Sequence, residues 1–158
     1  MAVTPGRARN PRESAHAPVG PSHRHRVVAA VSPGVNLFEM AVAAEVFGLE
    51  RPEVGVEWYD FAIASVGSQP VPVGGGATLT PTAGLDDVAH AGTVVVPNAS
   101  PVAPATSPEM LDALRAAHAN GARVVSFCSG AFALAEAGLL DDRPATTHWV
   151  FADDFAAR

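Results

Sequence analysis

Short runs of apolar, mostly β-branched residues alternate along this chain with longer stretches in which apolar positions recur every three or four residues. Residues 26–31 (RVVAAV) read as a buried strand, ended by the turn signal Ser32-Pro33-Gly34. Leu37, Met40, Ala41, Ala44 and Phe47 then follow at helical spacing, with Asn36 as N-cap and Gly48 as the stop. Residues 58–66 (WYDFAIASV) predict a second strand, and 71–73 with 77–80, parted by three glycines, a small hairpin. A short helix over 85–89 and a core strand over 93–96 come next, the strand leaving through Pro97-Asn98-Ala99-Ser100-Pro101. Residues 108–120 form an amphipathic pattern capped by Ser107, with Met110, Leu111 and Leu114 facing inward and Asn120-Gly121 ending it.

That order, with strands apolar on both faces, predicts an α/β fold: a mostly parallel sheet covered by helices on both sides. In such sheets chemical groups collect beyond the C-terminal strand ends. Glu39, the Pro97 loop and Cys128 all stand there.

Cys128 lies where a short strand carrying Val124, Val125 and Phe127 meets Ser129-Gly130 and an Ala/Leu-rich helical pattern reaching about Ala137, closed by Gly138. Strand, sharp turn and helix in that order are the layout of a nucleophile elbow. A thiol placed there faces a helix N-terminus, which is expected to make it more acidic. A thiolate needs a proton acceptor and a group that fixes its geometry. His148, in Ala-Thr-Thr-His-Trp, is one candidate and the Glu39 carboxyl another. Ser129, Gly130 and Asn98 are candidates for ligand contacts from the elbow and the neighbouring exit loop. Each has a structural alternative: a lone cysteine is often a small buried hydrophobe, Glu39 three residues after Asn36 matches a capping box, and His148 beside Trp149 can cap or pack a helix.

Composition narrows the classes. The chain has 158 residues, 48% hydrophobic, with a net charge of −6 and no lysine. One domain with a real core is the default at that length. No arginine cluster suggests a grip on a phosphate backbone. A single cysteine excludes an internal disulfide, and no apolar run is long enough to span a bilayer. The first 25 residues, rich in Pro, Arg, Ser and His, lack a signal peptide's apolar middle and read as a disordered leader in a cytoplasmic protein. His16, His23 and His25 on that leader are read as solvated rather than as metal ligands, and no cofactor or metal is expected.

The stretch SFCSGAFALAEAGLLDDRPATTHW resembles the signature of the ThiJ/PfpI family of the class I glutamine amidotransferase-like superfamily, and GVNLFEMAVAAEVF resembles that family's first strand-loop-helix. Both are similar to the sensor domain of GlxA-type members of the AraC family of transcription regulators, over about residues 26–158. The resemblance implies a flavodoxin-like three-layer sandwich, with Cys128 as elbow cysteine, His148 facing it and Glu39 contacting the thiol. It also implies a small-molecule ligand, a homodimer, and DNA contact only through a downstream helix-turn-helix domain. Two departures stand out. The Pro97-to-Pro101 loop replaces glycines whose N–H groups help form an oxyanion hole, so two donors are missing. The chain also stops inside a helical run, which is read as a domain incomplete at its C-terminus. The leading expectation is a ligand-sensing regulator domain; the alternatives are a small cysteine enzyme, hydrolase, hydratase or glyoxalase-like, and a thiol redox sensor.

Overall fold

The computed structural model describes residues 24–99 and 106–158. Four strands form one parallel sheet: β1 (Arg26–Ala30), β2 (Asp60–Ala64), β5 (Thr93–Val96) and β6 (Arg123–Ser126), in the order β2-β1-β5-β6. Strands β3 (Val71–Pro72) and β4 (Thr78–Leu79) pair antiparallel as the expected small hairpin. Among the described residues, five α-helices accompany them: α1 (Leu37–Ala43), α2 (Leu85–Ala89), α3 (Pro108–Ala119), α4 (Gly130–Glu136) and α5 (Ala152–Ala156).

The alternation of side chains along each central strand sorts the core into two layers. Val28, Ala30, Val94 and Val96 pack against α2, α3 and α4 through Val88, Met110, Leu114 and Leu134. Val27, Ala29, Val31 and Val95 point the other way, onto Met40 and Ala43 of α1 and onto the hairpin residues Val71 and Val73. Both faces of β1 and β5 are therefore covered, which is why their sequences are continuous apolar runs. Ser107 caps α3, its hydroxyl accepting from the Met110 N–H at 3.3 Å.

Three local expectations need correction. Leu37 is 49% exposed and Ala41 is exposed, while Met40 and Ala43 carry the buried face of α1. Within the regular helix the stripe of Leu37 and Ala41 lies off the face that Met40 and Ala43 turn to the sheet, and the π-helical turn Ala44–Gly48 that follows keeps Ala44 and Phe47 packed against that core. The capping box is also absent: Asn36 is the N-cap residue, but its side chain makes no capping hydrogen bond. Finally, His25 is not a loose tail residue. Its Nε2 lies 2.8 Å from Thr93 Oγ1, and its ring meets Tyr59 edge-on. Arg24 beside it pairs with Glu50 at 2.8 Å, and residues 1–23 of the expected leader, with His16 and His23, lie outside the described residues, as do Ser100 and Pro101.

Candidate functional site

The turn between β6 and α4 places Cys128. Its φ of +50° is a left-handed conformation that a side-chain-bearing residue adopts only when its surroundings enforce it. Here the enforcement is visible on both sides of the cysteine. The Phe127 N–H donates to the Val96 carbonyl at 3.1 Å, and the Gly130 N–H returns to the Phe127 carbonyl at 2.7 Å. The Ser129 hydroxyl, buried, donates to the Ala99 carbonyl at 2.6 Å. Gly130 is required for close approach, because a Cβ there would stand 2.4 Å from the Val96 carbonyl oxygen.

Glu39 comes from the first turn of α1, beyond the end of β1, and its Oε2 is buried with no hydrogen-bond partner among the described residues. Asn98, at the exit of β5, ties this region to the elbow side of the sheet: its Oδ1 accepts from the Asn36 N–H at 2.8 Å. His148 caps the 3₁₀ turn Trp149–Phe151, its Nδ1 accepting from the Val150 N–H at 3.3 Å. That hydrogen bond assigns the proton of the neutral ring to Nε2. Thr147, which sequence reasoning passed over, donates from Oγ1 to the Cys128 carbonyl at 3.1 Å and so pins the His148 segment to the elbow. Only the contact itself reveals this role, since an isolated threonine before a histidine carries no signal.

Glu39, Cys128 and His148 line one cavity of about 680 Å³, together with Phe38, Phe127 and Trp149. Of the other candidate contact residues, the side chains of Ser129 and Asn98 are engaged with backbone groups, and Gly130 is packed under Val96. None of these three lines that cavity. Among the described residues no cluster of three or more His, Cys, Asp or Glu side chains could hold a metal ion, and no helix is long and apolar enough to cross a membrane.

The electrostatics reverse the expected acidity of the thiol. Burial pushes the Cys128 thiol up, and the Glu39 side chain raises it further by hydrogen bonding and charge. The Ser129 N–H pulls the other way and is outweighed. The helix-terminus argument failed because it considered only the following helix, whereas the dominant effects are desolvation and a carboxyl group brought in from α1. Glu39→Gln removes the raising influence of the carboxylate. Its thiol should titrate at lower pH and react faster with iodoacetamide near neutrality, read from the pH profile of the alkylation rate; an unchanged profile would show that burial alone sets the thiol.

Comparison with known proteins agrees with this architecture. The family model described as DJ-1/PfpI family matches residues 25–158. An uncharacterised protein from the cpoL 5′ region of Streptomyces lividans is 37% identical over 136 residues, covering 85% of this chain and 94% of the relative. Isonitrile hydratase of Pseudomonas putida is 36% identical over 85 residues, 53% of this chain and 37% of that enzyme. The HTH-type transcriptional regulator GbdR of Pseudomonas aeruginosa is 30% identical over 113 residues, 72% of this chain and 31% of the regulator. Among solved structures, a ThiJ/PfpI family protein from Pseudomonas syringae superposes with a TM-score of 0.73 at 23% identity, covering 92% of this chain and 62% of that one. An AraC family transcriptional regulator from Pseudomonas putida gives 0.70 at 21% identity, over 85% and 72%. A parallel α/β sheet with its cysteine in the β6–α4 turn, matched by the family model across nearly the whole described region, makes this chain a member of the DJ-1/PfpI family.

Proposed function

We propose that the Cys128 cavity is a small-molecule recognition site and that the domain senses its ligand for an AraC-type regulator. DNA would be contacted by a helix-turn-helix domain outside the sequence described. The observation that carries this reading is the cavity that brings Glu39, Cys128 and His148 together beside Phe38 and Trp149, where burial and Glu39 push the thiol up, away from the reactive thiolate. The tautomer of His148 points the same way, since a ring with its proton on Nε2 and its Nδ1 engaged offers a donor rather than a free acceptor. The similarity to GbdR supports a regulator context. On the same reading the domain works in the cytoplasm and pairs with a second copy.

A second reading, a cysteine enzyme of the hydratase type, is favoured by the similarity to isonitrile hydratase. Cys128 would attack an electrophilic carbon while His148 moved the proton. The two readings separate on one assay. Incubation of the protein with a simple alkyl isonitrile, followed by NMR, should show no hydration above that of Cys128→Ala. Turnover that disappears in the alanine variant would replace the sensing reading with the enzymatic one.

A further inference from the structure

The Cys128 cavity offers a charged ligand no free counter-ion. The described residues that line it include no arginine, and the chain has no lysine. Its one acid is Glu39, whose Oε2 is buried and whose carboxyl group accepts a hydrogen bond from the Cys128 thiol, so this side chain serves the elbow. A cation entering here would give up its water without gaining an ion pair, and an anion would in addition meet the charge of Glu39. The Thr147 hydroxyl is likewise engaged, on the Cys128 carbonyl. His148 is different. With Nδ1 accepting from the Val150 N–H its ring is neutral and carries its proton on Nε2, a donor without a partner among the described residues. The other surfaces left for a ligand are apolar. Phe38 and Trp149 line the cavity yet are 76% and 79% exposed, which places two aromatic rings at its mouth in contact with water. A flat apolar body covers such rings, and one acceptor on it answers the imidazole donor.

We propose that this cavity selects an uncharged aromatic ligand bearing a carbonyl-type acceptor, its ring lying against Phe38 and Trp149 and its oxygen accepting from His148 Nε2. The proposal rests on the recognition reading above and gives it a ligand class.

Acetophenone is the probe. Benzoate and benzylammonium are its charged counterparts, and α-methylstyrene is its isostere without the oxygen. Cys128 is the only thiol in the chain, so the rate of its modification by methyl methanethiosulfonate reports occupancy, normalised to the unprotected rate of each variant. Acetophenone should protect Cys128 at a concentration about ten-fold below either ion, because neither ion recovers its lost hydration. It should also outdo α-methylstyrene several-fold, and His148→Phe should make those two equal. Trp149→Ala, at an exposed position away from the core, should weaken acetophenone several-fold while the unfolding transition is kept. Equal or better protection by benzoate or benzylammonium would overturn the uncharged class and leave a small-molecule pocket standing. Equal protection by α-methylstyrene in the unaltered protein would overturn the His148 contact, and protection by none of the four would overturn the ligand class altogether. The recognition reading fails on a separate readout: conversion of acetophenone, followed by NMR, or turnover of the isonitrile would overturn it and leave the preference for uncharged ligands intact.

Discussion

Gly130→Ala should destabilise the domain by about 3 kcal/mol, the upper end of the usual cost of forcing extra volume into a packed site. The added Cβ would stand 2.4 Å from the Val96 carbonyl oxygen and 3.1 Å from Ser126 Cβ. Neither neighbour is free to yield. The Val96 carbonyl accepts the Phe127 N–H, and Ser126 is the last paired residue of β6. Relief would come from lifting α4 off β5, which carries the Cys128 turn with it. A lower denaturant midpoint with an unchanged slope, together with faster modification of Cys128, is the expected result. A loss below about 1 kcal/mol would mean that the turn can re-form without that contact.

Phe132→Ala is the second large effect, with an expected cost of about 3–5 kcal/mol for removing a fully buried aromatic side chain. Phe132 is 1% exposed, and its ring sits edge-on to Phe155 at 5.0 Å and to Phe151 at 6.3 Å. The Arg158 guanidinium lies over the same ring at 4.9 Å. Phe132 is therefore the anchor on which the C-terminal turn and α5 rest. Phe151 in turn neighbours His148, with ring centroids 5.9 Å apart. Loss of the anchor should loosen the 3₁₀ turn and release His148 from its place at the cavity. Denaturant unfolding measures the first consequence. Broadening of the His148 imidazole resonances in NMR measures the second, and sharp, unshifted resonances in the variant would separate the core from the site.

The regular elements were legible in the chain because their signals are local. Residues 93–96 are a β-branched run and 124–125 a valine pair, both close to turn residues, and they become β5 and part of β6. Ser107 and Pro108 mark the start of α3 by cap chemistry that depends only on immediate neighbours. The position of Cys128 in a strand-to-helix turn was legible for the same reason. The face of α1 was not, because apolar residues stand on more than one side of it and only packing on the sheet selects Met40 and Ala43 over Leu37 and Ala41. A carboxylate three residues after Asn36 fits a capping box, but Asn36 gives its backbone N–H to Asn98 from the β5 exit, and no side-chain cap forms.

The sequence by itself determined the strand and helix segments, the mainly parallel sheet and the turn that holds the cysteine, since periodicity and turn chemistry are properties of neighbouring residues. It also carried the family resemblance that the comparison bears out. Tertiary structure alone decided which side chains share the cavity, with Glu39 from α1, Cys128 from the β6–α4 turn and His148 from the segment that Thr147 pins to the elbow. It also decided the sign of the thiol's shift. Acidity is set by how much water is removed from a group and by which charges surround it, and both follow from segments that meet only when the sheet is assembled.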